Sequence, residues 1–574
     1  MVTKNESPTL TEDVASGVVE AKVHIHARTI VAIAAISFIS TAQLMSVVGS
    51  GVLARDMATS LGAPSLSAWF GAIITILTLA TILPTSQASD YWGRKPFILA
   101  SCVFGVIGFI VVSRSKNIAT CLAGFTLGGM AFACQALCYA IPSEVLHRKH
   151  RGYGQASVNI SAGLGGLVGI IIGGAFTRSG GESWRNYWYI CFALYVLGFV
   201  GVFFGYNPPP RELEVTLSTS QKLRKMDWIG SFLIAVGLIL FVIGLQWSRN
   251  PYPWNNGHVL GPFITGICLL IVFGIWEWKG TNEGILHHSL FKDRNLPVST
   301  LLIFIEGVAF FTVNNFFVFE LIIVGHVGAF PAVFRFAVLF AASIVTAFLT
   351  GAYITWSKRV REPLIFGFLL LTTFPIVMVF YRENLPAANA YGYAIIYGSG
   401  LGLILTATIV AAQMSSPADQ ISLSSGLPTA ARSLGGAVGV AINNAIYNNS
   451  LQSKMPRFIA EAVLPLGFNP KDLPALIGAL ASQNPAAVAA VPGSTPAIIG
   501  AASHAVSEAY RLSFRDLWIA AACFGGFAVL LSCLVKNSKG GFTEHIDAPA
   551  EAEVLRDQED IEKRYQDKTN EITL

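Results

Sequence analysis

Apolar runs of about twenty residues, broken by short polar loops, recur along nearly the whole chain. They fall at roughly 28–53, 66–87, 96–113, 118–141, 155–177, 186–206, 227–247, 258–277, 297–320, 330–356, 363–381, 389–414, 424–447 and 516–535, fourteen in all. Each is long enough to cross a hydrocarbon core of ~30 Å as a helix. No soluble core needs so many. The least regular are 155–177, rich in glycine, and 330–356, which carries Arg335. The expected fold is an all-α membrane protein with fourteen transmembrane helices.

Loop charges give an independent check, because Lys and Arg accumulate on the cytoplasmic side of short loops. With the N-terminus inside, the inner loops and N-terminal segment hold 18 basic residues, among them Arg94, Lys95, Arg148, Lys149, Arg151, Arg211 and Lys358. The outer short loops hold seven: Arg55, Arg114, Lys116, Arg178, Arg185, Arg249 and Arg382. One helix more or fewer in mid-chain would break that alternation, so both termini are expected in the cytoplasm. Trp69, Trp184, Trp228, Trp247, Trp254, Trp278, Trp356 and Trp518 fall at segment ends, as an interfacial aromatic belt requires. The organisation expected is a cytoplasmic tail at 1–27, a bundle at 28–206, a linker with two inserted helices at 207–296 and a second bundle at 297–536. That second bundle includes a long extracellular loop at 449–515, rich in Ala and Pro, and is followed by a charge-dense disordered tail at 537–574.

Composition narrows the chemistry. Only 12% of the 574 residues are charged against 53% hydrophobic, about half the charge of a soluble domain. The net charge of +5 is spread over many loops and indicates no nucleic-acid partner. All eight cysteines lie within apolar runs, so no disulfide framework is expected. Cys134 and Cys138, one turn apart, are read as packing residues rather than a soft-metal site, and no metal or cofactor is expected. The first ~27 residues are mostly polar and offer no cleavable apolar stretch, so the first helix should serve as the insertion signal. A phosphate loop is missing and Gly-Lys occurs nowhere, which excludes nucleotide-driven pumping by this chain. No catalytic-triad spacing stands out, and no enzyme is expected. What remains is solute movement, coupled to an ion gradient or downhill.

The loop joining the second and third helices reads SQASDYWGRKP (86–96). It resembles the signature loop of the major facilitator superfamily, G-x-x-x-D-x-x-G-R-[KR], at Asp90, Gly93, Arg94 and Lys95, and departs from it at Ser86. Asp90 can cap a facing helix N-terminus, and Arg94 can pair with Glu144 at the end of the fourth helix. In the fifth helix, Gly165, Gly169 and Gly173 share a face, with Gly174 beside it. Small residues so spaced let backbones approach closely. The run resembles the antiporter motif of drug:proton exporters, with Ala156 and Ile170 in place of its first glycine and its proline. SGLPTAARSLGGAVGVAI (425–442) resembles the thirteenth helix of fourteen-helix drug:proton antiporters, and its Arg432 either contacts cargo or snorkels to the interface.

YNPPPRE (206–212), MDWIGSFL (226–233), GLQW (244–247) with YPW (252–254), and LHHSLFKDRNLP (286–297) extend the resemblance. Together they are similar to the fungal trichothecene-efflux-pump-like group, itself related to fungal siderophore transporters. The resemblance implies two six-helix bundles rocking about a midplane cargo site, and a monomer. It further implies proton-driven export of a small lipophilic toxin, secondary metabolite or drug across the plasma membrane. Proton-coupled siderophore-iron uptake is the alternative, and a non-transporting receptor is a more distant one. Helix one carries Gln43 where general exporters carry an acid, and helix four carries no base. Coupling must then use other carboxylates. Glu306, deep in the ninth helix, and Glu320, fourteen residues on, are the candidates, with a purely structural role for Glu306 as the alternative. Gln43, Asn314, Asn315 and Arg432 are candidate cavity residues, the two asparagines equally suited to bridging helices.

Overall fold

Backbone in lipid must satisfy its own N–H and C=O groups, so apolar runs of this length fold as helices. The computed structural model describes residues 27–248, 252–281, 284–382, 385–417, 420–481, 488, 490–537 and 539–550. The long helices of the first half are α1 (Ala27–Val52), α2 (Ala68–Trp92), α3 (Arg94–Arg114), α4 (Ile118–Val145), α5 (Arg151–Ser179) and α6 (Trp184–Gly205). Then come α7 (Trp228–Trp247) and α8 (Gly257–Ile275). The second half holds α9 (Asn295–Ile323), α10 (Ala329–Ser357), α11 (Arg361–Val379), α12 (Ala387–Met414), α13 (Ile421–Val463) and α14 (Pro496–Ser532). Among the described residues the only strand-like pairing is one isolated bridge, Ser248 to Tyr252.

Thirteen helices among the described residues are long and apolar enough to cross a membrane. The remaining expected span, 424–447, lies inside α13, where Arg432, Asn443, Asn444 and several serines dilute the apolar content. Two cores hold the helices. One gathers Ile36, Phe70, Phe109, Phe125, Trp188 and Tyr195 from the first half. The other gathers Phe310, Phe317, Phe340, Phe374, Tyr397 and Trp518 from the second. The two halves meet along two seams, α5 on α10 and α2 on α13, and the α7–α8 hairpin lies against α2 and α13. Large apolar side chains such as Phe204, Phe232, Trp356 and Leu530 remain exposed on the outer faces, a surface that only lipid or a partner would cover. Arg335 is buried with its guanidinium 5.6 Å from the Tyr391 ring, which accounts for a charge within α10.

Two regions differ from expectation. Residues 449–515, expected as a long loop, are largely helical where described. The ends of α13 and α14 run on and pack with Leu473–Ala481 around Ile459, Val463, Leu476 and Ala502. Their apolar faces recur at helical spacing, so the Ala-rich composition forms a small core. The tail expected to be disordered from 537 is placed as far as residue 550, for reasons of charge given below. Residues 551–574 of that tail, and 1–26 at the other end, lie outside the described residues.

Candidate functional site

The α2–α3 turn needs a backbone only glycine tolerates. Gly93 sits at φ 84°, and an added Cβ would meet the Glu214 carboxylate at 3.0 Å. The sharp turn aims Arg94 inward, where it is 1% exposed. Its Nη2 lies 2.6 Å from Asp90 Oδ1 and 3.0 Å from Glu144 Oε1, and Nη1 donates to the Ser89 carbonyl at 3.0 Å. Arg211, from the linker after α6, lies 2.6 Å from the other oxygen of Glu144. Two carboxylates and two guanidiniums thus form a buried, formally neutral quartet, which is how charges withstand burial. Burial works against the Arg211 charge, but the Glu144 carboxylate more than offsets it and holds the guanidinium firmly protonated. Ser422, in the first turn of α13, faces Asp90. Lys95 turns away from the quartet and donates to the Phe203 carbonyl at 3.0 Å, tying α3 to α6.

The glycine that usually opens this loop is Ser86 here, and the facing helix compensates. A Cβ on Gly426 of α13 would come 2.6 Å from Ser86 Oγ, so the small residue has moved across the seam. Beside the quartet, the halves are joined by a polar network. Ser143 Oγ donates to Gln413 Oε1 at 2.6 Å, Gln155 Nε2 donates to Ser143 Oγ at 2.6 Å, and Gln413 Nε2 donates to Ser425 Oγ at 2.8 Å. The tail crosses the same end. Its backbone exchanges bonds with Arg148, Lys149, Glu144 and Asn207 of the first half. Asp547 pairs with Arg148 and Arg151, and Glu544 with Lys149. Lys536 and Asn537 meanwhile anchor to Asn295, Val360 and Arg361 of the second half. Acids in the tail find a basic cluster, and this fixes a segment that composition alone marks as disordered. Burial pushes the Asp547 carboxyl up, but its arginine partners win and hold it below the usual range.

A second charged pair lies deeper. Gly307 of α9 and Gly435 of α13 let the two backbones touch. A Cβ on either would sit 2.1 Å from a facing carbonyl, that of Arg432 or Phe304. This contact brings Glu306, wholly buried, to Arg432 in a bidentate pair, Nε–Oε2 2.6 Å and Nη2–Oε1 3.1 Å. The guanidinium also lies 4.8 Å from the Phe310 ring. Arg432 therefore neither snorkels nor stands alone. It lines a small cavity of about 90 Å³ between the halves, with Gln43, Thr78, Gln135, Tyr139 and Asn159 of the first half and Phe311, Ser343 and Ser433 of the second. Gln43 donates weakly to the Ala131 carbonyl, and Asn159 Oδ1 has no partner among the described residues.

The remaining candidates fall elsewhere. Glu320 is buried between α9 and α14 and accepts from Trp518 Nε1 at 2.6 Å. Asn314 and Asn315 lie outside the cavity lining, and Asn315 is exposed and bonded to its own helix at Phe311. Gly165, Gly169 and Gly173 face α1 and Tyr187 of α6: a Cβ would meet Thr41 O at 2.3 Å, Tyr187 Oη at 2.7 Å and Val52 at 3.1 Å respectively. Gly174 looks the other way, with nothing nearer than 3.8 Å. Sequence reasoning missed Asn159, Tyr139, Gln155 and Gln413. Polar residues within apolar runs were their only signal.

Two apolar-faced halves, with a buried charge quartet at one end and a buried ion pair between helices deeper in, define a membrane transporter of the major facilitator fold. Solved structures agree on the fold. The human organic anion transporter MFSD10 covers 88% of this chain and 98% of its own at a TM-score of 0.53 and 12% identity. The proton:xylose symporter XylE covers 90% and 98% at 0.54 and 13%. The chain belongs to the fungal trichothecene efflux pump family, which it matches over residues 13–568. Similar relatives include a trichothecene efflux pump of Fusarium sporotrichioides, 24% identical over 90% of this chain and 88% of its own. An MFS-type transporter of Penicillium rubens is 27% identical over 78% and 82%. The protein is thus a multi-pass membrane transporter with a small-molecule cargo, and not an enzyme.

Proposed function

We propose that the protein exports a lipophilic secondary metabolite of trichothecene type across the plasma membrane, in exchange for protons and by alternating access. The observation that carries this reading is the Glu306–Arg432 pair, whose Arg432 lines a cavity shared by both halves while Glu306 lies buried behind it. Ionised, the pair is neutral and satisfies itself; protonation of Glu306 removes the attraction and frees Arg432 to meet cargo or water. A buried ion pair that exchanges a proton for cargo couples the two fluxes without a cofactor, the proton gradient supplying the energy. In this reading the Asp90–Arg94–Glu144–Arg211 quartet lies on the cytoplasmic side, where the loop charges place it, and opens as the halves rock.

The test is uptake of a labelled trichothecene into inside-out vesicles under an imposed pH gradient. Wild-type protein should concentrate the label, and Glu306→Gln should bind it yet equilibrate only. A Glu306→Gln protein that still concentrates cargo with unchanged pH dependence removes Glu306 from the coupling step. Loss of iron-siderophore growth, with unchanged toxin retention, in a deletion strain would instead reverse the direction of transport.

A further inference from the structure

The central cavity, at about 90 Å³, is too small in this conformation for a drug-sized molecule, whose sites run to ~300–1,000 Å³. A far larger space of about 710 Å³ opens along the α2–α13 seam, away from the gate. Its walls are the start of α2, one face of α13 and the end of the inserted helix α7, with Ser248, Tyr252 and Trp254 beyond it. On α13 the lining residues Ala437, Val440, Ala441, Asn444 and Asn448 recur at helical spacing, and their small side chains leave the room. Trp69, Trp247, Tyr252 and Trp254 supply ring faces opposite, Trp69 and Trp247 meeting edge to face at 6.4 Å between centroids.

Two features give this space a function. Among the described residues no charged side chain lines it, and its polar groups are hydroxyls and carboxamides such as those of Gln246, Asn444 and Asn448. Such a set suits a neutral, ring-bearing, oxygenated lipophile, which stacks on aromatic faces and exchanges hydrogen bonds with amides. It also adjoins the central cavity. Thr75 and Ser433 line the cavity, while Ala72 and Ala437 line the seam pocket. Three and four residues of helix separate those positions, about 5–6 Å of rise. One helical turn therefore divides the two spaces on both walls.

We propose that the seam pocket is a second cargo site, for a neutral oxygenated ring lipophile passing between the central cavity and the side away from the gate. The end of α7, with Tyr252 and Trp254 ahead of α8, forms one of its walls. This gives the inserted segment a task the six-helix halves leave unfilled: shielding a lipophile as it leaves the central cavity. The proposal rests on the export reading above and specifies the route.

The experiment uses full-length protein in which exposed Cys268, Cys523 and Cys533, and Cys138 of the cavity lining, are replaced by serine, reconstituted with and without ergosterol. Single cysteines are placed at Ala441→Cys or Asn448→Cys for the pocket and Ser433→Cys for the cavity. Maleimide labelling is then followed with and without a trichothecene, alongside transport. Protection of positions 441 or 448 as well as 433, in both membranes, is the expected result. Protection at 433 alone, with transport intact, overturns the pocket and leaves the export reading standing. Protection at 441 and 448 by ergosterol, unchanged by the trichothecene, makes the pocket a sterol site and overturns its assignment to cargo. Trp254→Ala should weaken trichothecene protection at 448 by about tenfold, the worth of one buried ring face, without shifting that at 433. Equal weakening at both positions contradicts a separate site.

Discussion

Glu306 and Arg432 stand 126 positions apart and share two hydrogen bonds, 2.6 and 3.1 Å long, across a glycine-on-carbonyl contact of α9 and α13. Removing one partner of a buried pair leaves the other charge uncompensated, at a cost of about 3–5 kcal/mol, whereas replacing both can be neutral. Arg432→Met is therefore expected to lower thermal stability and yield sharply. Adding Glu306→Gln should restore both without restoring gradient-driven transport. Melting curves of the two singles and the double in detergent check this; additive losses would mean that the two side chains do not act as a pair.

At the gate, Arg211 is predicted to matter as much as the residues of the α2–α3 loop. It neutralises the Glu144 oxygen that Arg94 does not reach. Arg211→Gln should leave expression near wild type, because Arg94 still pairs with Glu144, and reduce efflux to the level of Asp90→Asn. Full efflux from Arg211→Gln would reduce the quartet to a triad.

The two faces of α5 should answer differently to one methyl group. Gly165→Ala places a Cβ 2.3 Å from the Thr41 carbonyl, which forces α1 and α5 apart and should cost about 1–3 kcal/mol. Gly174→Ala meets nothing nearer than 3.8 Å and should be neutral. Thermal stability of the purified variants reads the contrast directly, and equal effects would contradict the packing described.

Asp547 sets a pH window for the tail. Its carboxyl is held below the usual range by Arg148 and Arg151 in the folded state. The attachment therefore gains stability above the ordinary carboxylate pKa of ~3.9 and loses it as pH falls through the lower, folded value. Hydrogen exchange at residues 542–550 should be slow and flat from pH 8 to about 5 after correction for intrinsic rates. Asp547→Asn should expose the segment throughout. Release of the wild-type tail near neutral pH would mean that another group holds it.

Hydropathy alone revealed the helices, because lipid imposes a length on every span. What it did not reveal is how far α13 and α14 run on through 449–515, where Ala- and Pro-rich composition reads as a loop. The pairing of Arg94 with Glu144 could be reasoned from one loop and one helix end. Arg211 and the Glu306–Arg432 pair could not, since each depends on how distant elements cross. Asn159, like Asn314 and Asn315, is a polar residue in an apolar run, and only the rotation of each helix decides which one meets the cavity. The tail misled for a related reason. Its charge density is what a solvated segment shows, and here the opposite charges lie some 400 positions earlier, at Arg148, Lys149 and Arg151.

That tail changes how a truncated allele should be interpreted. A stop codon ahead of Phe542 spares every described helix long enough to cross a membrane, so the shortened product would insert and reach its membrane. It would nonetheless lose Glu544 and Asp547, the acids by which the chain's end ties its two halves together. Such a mutant would look harmless by topology and localisation, and show its defect only as a gate that rests open more often.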